Sequence, residues 1–476
     1  MRRRTKIVCT IGPATSSQAA IARLAGAGME VARINFSYGT RDEHAKVIAR
    51  IRAVSRKLGR PIGILQDLAG PKLRVGELPG GLVSLRAGAE VVLNTGGKVG
   101  AEEIPVPLPA LAAAVGPRQR LLLSDGRIEL RVLGVRGKRI RCKVRVGGVL
   151  RSHQGLNVPD AALPIRTLTK KDLQDLKFGV SQGVDWVAMS FVREAADLKP
   201  LRRALKRAGS SAGVMAKIEK HEAVEHLDEI VEAADGIMVA RGDLGIELPI
   251  DQVPVLQKVI IAACNAAGKP VVTATQMLES MVESPRPTRA EVSDVANAVF
   301  DGTDAVMLSG ETAVGRYPVE AVEVMARVVA RAEGSFDFEA HLEESTALPC
   351  HTVTDGISQA TCSLAHDLCA RAIITATSTG HTALMVSMHR PEAPIVAVTP
   401  NVATQRRLTL IWGVRPLLAP RGKSTDELIV KAIDEARKAK LVRAGDVVVI
   451  TAGVPAGVPG HTNLVKVEVV GRHAAF

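Results

Sequence analysis

A chain of 476 residues exceeds what one hydrophobic core organises, and ordinary domain sizes point to about three domains. Its composition, 46% hydrophobic and 23% charged, is that of a globular chain, and no apolar run reaches the ~18 residues of a membrane helix. An aromatic share of 2% argues against base-stacking nucleic-acid readers, whereas a formal charge of +13 (62 Lys+Arg, 49 Asp+Glu) suits anionic small molecules.

The six cysteines (Cys9, Cys142, Cys264, Cys350, Cys362 and Cys369) are scattered without a CxxC pair and read as small buried hydrophobes in a reducing compartment. The basic start, Met-Arg-Arg-Arg-Thr-Lys, precedes an apolar run broken at Gly12-Pro13. That reads as a first strand rather than an export signal, so a cytoplasmic location is expected.

In chain order, the spacing predicts strand Lys6–Ile11, a helix near Gln18–Ala27, strand Glu30–Asn35, a helix near Asp42–Leu58 and strand Ile62–Asp67. From about Gly70 to Leu163 the runs become short, alternating and glycine-rich (Leu82–Leu85, Glu90–Leu93, Arg120–Leu123, Ile128–Val132, Ile140–Val146), the pattern of a small antiparallel β-domain. Between Arg118 and Arg151 it carries eleven basic residues and two acidic ones, either a solvated face or a lid that closes over phosphates.

Strand and helix patterns then resume. Helix Lys170–Val180, strand Trp186–Val192, a helix around Ala195–Ala208 and a strand ending at Lys217 come first. A helical spacer, a strand ending before Asp243, a helix near Val253–Ala267, strand Pro270–Ala274, a helix near Arg289–Phe300, strand Asp304–Leu308 and helix Pro318–Glu333 follow. Three strands before the insertion and five after it make eight, the number that closes a (β/α)8 TIM barrel. Glu333–Pro349 is polar and reads as a linker; beyond it, helices Val353–Ala370, Thr382–His389 and Thr425–Lys440 alternate with strands Ala372–Thr377, Ile395–Thr399 and Val447–Ala452. The expected architecture is thus a discontinuous (β/α)8 barrel (1–69 and 164–340), an inserted small β-barrel domain (70–163) and a C-terminal α/β domain (350–476).

Polar residues follow the predicted strands at one end: Arg33-Ile-Asn35-Phe-Ser37, Gln66-Asp67, Ser190-Phe191, Lys217-Ile-Glu219, Arg241-Gly242-Asp243, Thr275-Gln276 and Ser309-Gly310-Glu311. In this fold the C-terminal rim carries the active site. Taken singly, Gln66, Ser190 and Gln276 read as satisfying backbone groups, and Lys217, Glu219 and Asp243 as rim ion pairs. Together they suit metal-assisted phosphoryl or enolate chemistry, with Glu219 and Asp243 as oxygen ligands for Mg²⁺, and Lys217 and Arg33 as cations for a phosphoryl group. Thr275, with Ser309 and Glu311 behind it, could relay a proton through water, or could only cap the next helix.

Several of these stretches resemble the pyruvate kinase family, in order and nearly end to end. They are Arg33-Ile-Asn-Phe-Ser37, Asp67 with Gly70-Pro71-Lys72-Leu-Arg74, Lys217-Ile-Glu219, Met238-Val-Ala-Arg-Gly-Asp-Leu-Gly245, Ala274-Thr-Gln-Met-Leu-Glu-Ser-Met281, Pro287-Thr-Arg-Ala-Glu-Val-Ser-Asp-Val-Ala-Asn-Ala298 and Met307-Leu-Ser-Gly-Glu-Thr-Ala313. The resemblance implies phosphoryl transfer from phosphoenolpyruvate to ADP, the last step of glycolysis. It makes Lys217 the transition-state stabiliser; places Arg33, Lys217, Gly242, Asp243 and Thr275 at the substrate; puts Mg²⁺ (or Mn²⁺) on Glu219 and Asp243; and sets Asn35, Arg74 and Lys171 on the nucleotide side.

Asn35, Ser37, Asp67 and Leu68 match the family's potassium site. Many members read Asp-Thr-Lys-Gly-Pro-Glu there; this chain reads Asp67-Leu-Ala-Gly-Pro-Lys72, with Val75 after Arg74 in place of Thr. In the family the Lys-bearing pattern accompanies activity without K⁺, so potassium independence is expected. Tyr38 stands in place of the usual His, Lys220 of the usual Asn and Ala223 of a Gly. Thr377-Ser378-Thr379-Gly380-His381-Thr382 matches an effector-phosphate loop, although a plain turn fits the same residues; the resemblance also implies allostery and a homotetramer, with no nucleic-acid or membrane partner. Two rival readings differ in what they predict: a metal-dependent lyase of pyruvate-type enolates would lack the basic insertion and the C-terminal domain, and a nucleic-acid binder would show steep salt dependence.

Overall fold

The computed structural model describes residues 3–96, 99–100, 102–161, 163–347, 350–422, 424–454 and 462–471. Eight parallel strands close a barrel: Lys6–Thr10, Val31–Asn35, Gly63–Asp67, Trp186–Met189, Gly213–Ile218, Gly236–Ala240, Val271–Ala274 and Ala305–Leu308. Closure is direct, since Lys6 pairs with Ala305 on one side of the first strand and Val8 with Val31 on the other. These short, almost uninterrupted apolar runs are buried along nearly their whole length because helices cover the outside while the strands' own side chains fill the interior.

The surrounding helices are set by strong local signals. Thr40, Thr169 and Thr288 each form a reciprocal capping box with Glu43, Asp172 and Glu291, fixing the starts of helices Arg41–Leu58, Lys170–Ser181 and Arg289–Phe300. The spacer after Glu219 splits into two short helices, His221–Glu225 and Leu227–Ala233, and a further helix, Arg241–Glu247, follows the sixth strand. The sequence reading places no helix over Arg241–Glu247, because a seven-residue segment with two glycines carries too little periodicity to register.

The inserted domain, expected as a small β-barrel, consists of a six-stranded sheet and a two-stranded ribbon around one apolar core. Strand Arg139–Val146 turns Ile140, Cys142 and Val144 inward and Arg139, Arg141, Lys143 and Arg145 to solvent. Arg139 pairs with Glu103, Arg141 with Glu90 and Arg120 with Asp160, so this face is partly self-compensated. No residue between 118 and 151 is among those lining the cleft described below.

The C-terminal domain has a five-stranded sheet ordered Val414–Leu418, Ile395–Thr399, Ala372–Ala376, Val447–Ala452 and Leu464–Val469, the last antiparallel. The two outer strands escape the sequence reading: one carries Pro416 and the other alternates with Lys466 and Glu468, as edge strands do. The segment read as a linker contains helix Phe338–Ala347. One apolar cluster runs from the barrel interior (Val8, Leu65, Met215, Met238) through Trp186 to Leu408, Leu410 and Ile411, so the C-terminal domain plugs the N-terminal end of the barrel. The opposite rim is left for the inserted domain.

Candidate active site

The C-terminal ends of the strands supply a buried charge cluster. Lys217 closes in from the fifth strand; its Nζ lies 2.6 Å from Glu219 Oε1 and 3.5 Å from Asp67 Oδ1, and it donates to Ser190 Oγ at 2.9 Å. Ser190 in turn donates to the Leu68 carbonyl at 2.9 Å. From the second strand, Arg33 grips Asp67 Oδ2 through Nε (2.8 Å) and a terminal nitrogen (2.7 Å), while its other terminal nitrogen donates to Thr10 Oγ1 at 2.9 Å. Glu219 Oε2 accepts the Phe191 backbone N–H at 2.8 Å.

Asp67, Glu219 and Asp243 thus face Lys217 and Arg33, leaving the innermost layer one charge short of neutrality. Burial works against the Lys217 ammonium, but the charges of Asp67, Glu219 and Asp243 outweigh it and hold the proton above the ordinary lysine range. Burial likewise opposes ionisation of Asp67, and Lys217 and Arg33 reverse this, so its carboxyl sits below the usual range. At Glu219 burial dominates and the Asp243 charge adds to it, pushing the carboxyl up to about 7 despite Lys217. The Asp243 side chain makes no hydrogen bond or ion pair among the described residues, while its charge acts on Lys217 and Glu219. A paired carboxylate, an unpartnered one beside it and a local excess of negative charge fit an oxygen-preferring divalent ion that takes its remaining ligands from substrate and water.

Arg33, Asp67, Ser190, Lys217, Glu219 and Asp243 line an open cleft of about 100 Å³ with Asn35, Ser37, Tyr38, Ala69, Lys72, Arg74 and Phe191. Asn35 Oδ1 accepts the Ser37 N–H at 3.0 Å, and the Lys72 ammonium sits 3.8 Å from Asp125 of the inserted domain while still facing the cleft. Arg74 donates to the His153 carbonyl. Tyr38 is 65% exposed at the mouth. Lys171 does not line the cleft; its ammonium bridges the Phe36 carbonyl (2.8 Å) and Asp175 (2.6 Å), bracing the loop after Asn35.

Backbone strain gathers at the same rim. Phe191 (φ 59°), Thr275 (φ 70°) and Gln276 (φ 54°) are non-glycine residues in the left-handed region, a cost of order 1–3 kcal/mol each that a scaffold tolerates at working sites. Gly70 (φ 64°) must be glycine, since a Cβ there would lie 2.7 Å from the Phe191 ring. Thr275 Oγ1 accepts the Gly242 N–H at 2.7 Å and donates to the Ala274 carbonyl at 2.6 Å, so it locks the Gly242-Asp243 turn rather than capping the next helix. Glu311 accepts the Leu278 and Ser309 N–H groups, and burial raises its carboxyl; Ser309 Oγ is buried without a hydrogen-bond partner among the described residues. Gln66 donates to the Asp175 carbonyl and is structural, whereas Ser190, read singly as a rim group, holds the central ammonium.

The sequence reading leaves out Thr10, Asp172 and Asp175. Thr10 orients Arg33, Asp172 accepts the Gly70 N–H at 3.1 Å, and Asp175 pairs with Lys171 and Arg41. Their one signal is position, Thr10 ending the first strand and Asp172 standing three residues after Thr169. In the C-terminal domain, Thr377–Thr382 joins strand Ala372–Ala376 to helix His381–Met388: Thr377 Oγ1 accepts the Gly380 N–H, Ser378 and Thr379 turn their carbonyls to Asn401 and Arg407, and Thr382 meets Thr462.

Comparison with known proteins gives one answer along the chain. Residues 2–322 match the family described as "Pyruvate kinase, barrel domain", and residues 355–468 match "Pyruvate kinase, alpha/beta domain". The pyruvate kinase of Geobacillus stearothermophilus is 48% identical over 100% of this chain and 84% of its own length; that of Clostridium acetobutylicum is 44% identical over 98% and 99%. A solved pyruvate kinase from Cryptosporidium parvum superposes with a TM-score of 0.93 at 37% identity, covering 98% of this chain and 96% of that one.

Proposed function

The chain belongs to the pyruvate kinase family, a family of phosphotransferases, and from that premise we propose which of its residues carry the transfer of the phosphoenolpyruvate phosphoryl group to ADP. The observation that carries the assignment is the Lys217 ammonium, buried among Asp67, Glu219 and Ser190 in a cleft that also holds Arg33 and Asp243. In the reaction the bond from phosphorus to the enolate oxygen breaks and one to a terminal ADP oxygen forms; protonation of the enolate carbon then gives pyruvate. Lys217, kept charged by its acidic neighbours, stabilises the charge that spreads over the phosphoryl oxygens and the enolate oxygen, and needs no reorganisation to do so. Arg33, its fork aimed by Asp67 and Thr10, binds phosphoryl oxygens.

Gly242, Asp243 and Thr275 hold the substrate, and Thr275 passes a proton to carbon through water. Asn35 and Arg74, which line the cleft, orient the nucleotide, and Lys171 serves the nucleotide side from outside it by bracing the loop after Asn35. Mg²⁺ or Mn²⁺ on Glu219 and Asp243 would supply Lewis-acid neutralisation of the transferring group. The inserted domain (70–163) serves as the lid of the barrel (1–69 and 164–340). We assign the Thr377–Thr382 loop of 350–476 to a phosphorylated effector, and the working form to a cytoplasmic homotetramer.

Lys72, which lines the cleft with Asn35, Ser37 and Asp67, supports activity without K⁺, a tethered cation taking the place of a bound one. The test is pyruvate release from phosphoenolpyruvate and Mg²⁺, with and without ADP, in Na⁺-free buffer with and without K⁺. ADP-dependent release at the same rate in both buffers is expected; a many-fold rise with K⁺ contradicts the role of Lys72, and release without ADP points to a lyase or phosphatase.

A further inference from the structure

Beside the acidic cluster, a second buried carboxylate joins three parts of the molecule. Glu247 ends the helix that begins with Arg241-Gly242-Asp243, and its side chain is only 1% exposed. Its Oε1 receives two donors: the Lys220 ammonium at 2.7 Å, from the residue directly after Glu219, and Asn157 Nδ2 at 3.2 Å, from the last strand of the inserted domain. Its Oε2 is buried with no partner among the described residues. The three line, or lie beside, a small cavity of about 40 Å³ at the stem of the inserted domain, walled by Lys72, Leu156, Val158, Phe191 and Asp243.

A buried acidic side chain needs a compensating partner, and Lys220 supplies it to Glu247 at 2.7 Å. Once that pair exists, Asn157 is the element that can come and go. Its loss leaves Glu247 still paired with Lys220, so this contact between the inserted domain and the rim that bears Glu219 and Asp243 can open without stranding a charge. Among the described residues, the side-chain hydrogen bonds of Lys220 and Asn157 go to Glu247 and not to Lys217, Glu219 or Asp243.

We propose that Lys220, Glu247 and Asn157 form a latch that sets the closed position of the inserted domain over the cleft, with Lys220 and Glu247 acting as positioning residues and Asn157 as the releasable contact. This rests on the lid role given to residues 70–163 above. A closed lid keeps water from the phosphoryl group and confines the nucleotide, so loosening the latch raises both the KM for ADP and the leak to water.

The test compares the full chain with Asn157→Ala, Lys220→Met and Lys220→Arg, reading ADP-dependent pyruvate release, pyruvate release without ADP, and amide hydrogen exchange over residues 156–158. For Asn157→Ala the expected result is a KM for ADP raised roughly tenfold, the size of one lost hydrogen bond to a charged group. ADP-independent release and exchange at 156–158 should both rise, with the thermal midpoint unchanged. Lys220→Met should move the same readouts together with a lower thermal midpoint, and Lys220→Arg should restore them. Parental KM, leak and exchange in Asn157→Ala would overturn the latch. Absence of ADP-dependent release in the unmodified chain would instead remove the functional reading, while the exchange comparison would still decide whether the contact holds the domain.

Discussion

At the scale of single residues, the site is a contest between burial and charge, and Glu219 shows its terms most clearly. Its carboxyl is pushed up to about 7 by burial and by Asp243, above the unfolded value of about 4.5. The folded state therefore binds more protons than the unfolded one between these values. The resulting stabilisation is fully present below about 4.5 and is lost as pH rises through about 7. A divalent ion needs the ionised form and must displace that proton, so the affinity for Mg²⁺ should fall about tenfold per pH unit below about 7 and level off above it. Calorimetric titration between pH 5.5 and 8.5 measures this, with proton release expected at the acid end; a flat profile contradicts the account.

Lys217, Glu219 and Asp243 were legible in the sequence because an apolar run stopping at a charge marks a strand end. Thr10 and Ser190 were not, because what each does depends on side chains from segments at least 23 residues away. Lys171 matched a nucleotide position by motif, yet the structure ties its ammonium to Phe36 and Asp175. A motif fixes where a side chain starts, and its neighbours fix where it ends.

At the scale of elements, the hinge of the inserted domain is held by a helix cap. Asp172 serves the capping box of Thr169 with one oxygen and accepts the Gly70 N–H with the other, so the start of helix Lys170–Ser181 and the departing chain share one carboxylate. Thr169→Ala should cost about 1 kcal/mol by loss of the cap, read as a lower midpoint in denaturant unfolding. Because Gly70 is anchored through Asp172, the KM for ADP should rise as well; an unchanged midpoint would show that the cap carries no weight. The starts of the capped helices were readable to within one residue, since Ser/Thr-x-x-Asp/Glu is a local signal. Helix Arg241–Glu247 and the edge strands Val414–Leu418 and Leu464–Val469 were not, since what makes them regular is the rim and the sheet they join.

At the scale of the whole molecule, the barrel is sealed below and worked from above. The seal includes a buried ion pair across the domain junction: Arg390 donates to Asp304 Oδ1 at 2.9 Å, both side chains being 5% exposed, and also to Asn265 and the Gly302 carbonyl. Arg390→Met would leave Asp304 buried and uncompensated, with an expected loss of about 3–5 kcal/mol in unfolding experiments. A loss below about 1 kcal/mol would contradict a docked C-terminal domain. The number of barrel strands and the interruption by a β-domain could be counted from the sequence, while the docking could not, because it is made by scattered residues such as Trp186, Leu408 and Leu410. The central requirement of the site is a charged Lys217 held among acidic side chains in the cleft. The most direct test is steady-state kinetics of Lys217→Met with phosphoenolpyruvate, ADP and Mg²⁺. The account predicts kcat reduced by about 10²–10³ or more with KM for phosphoenolpyruvate little changed, the mark of a group acting on the transition state; a kcat equal to that of the unmodified chain would contradict it.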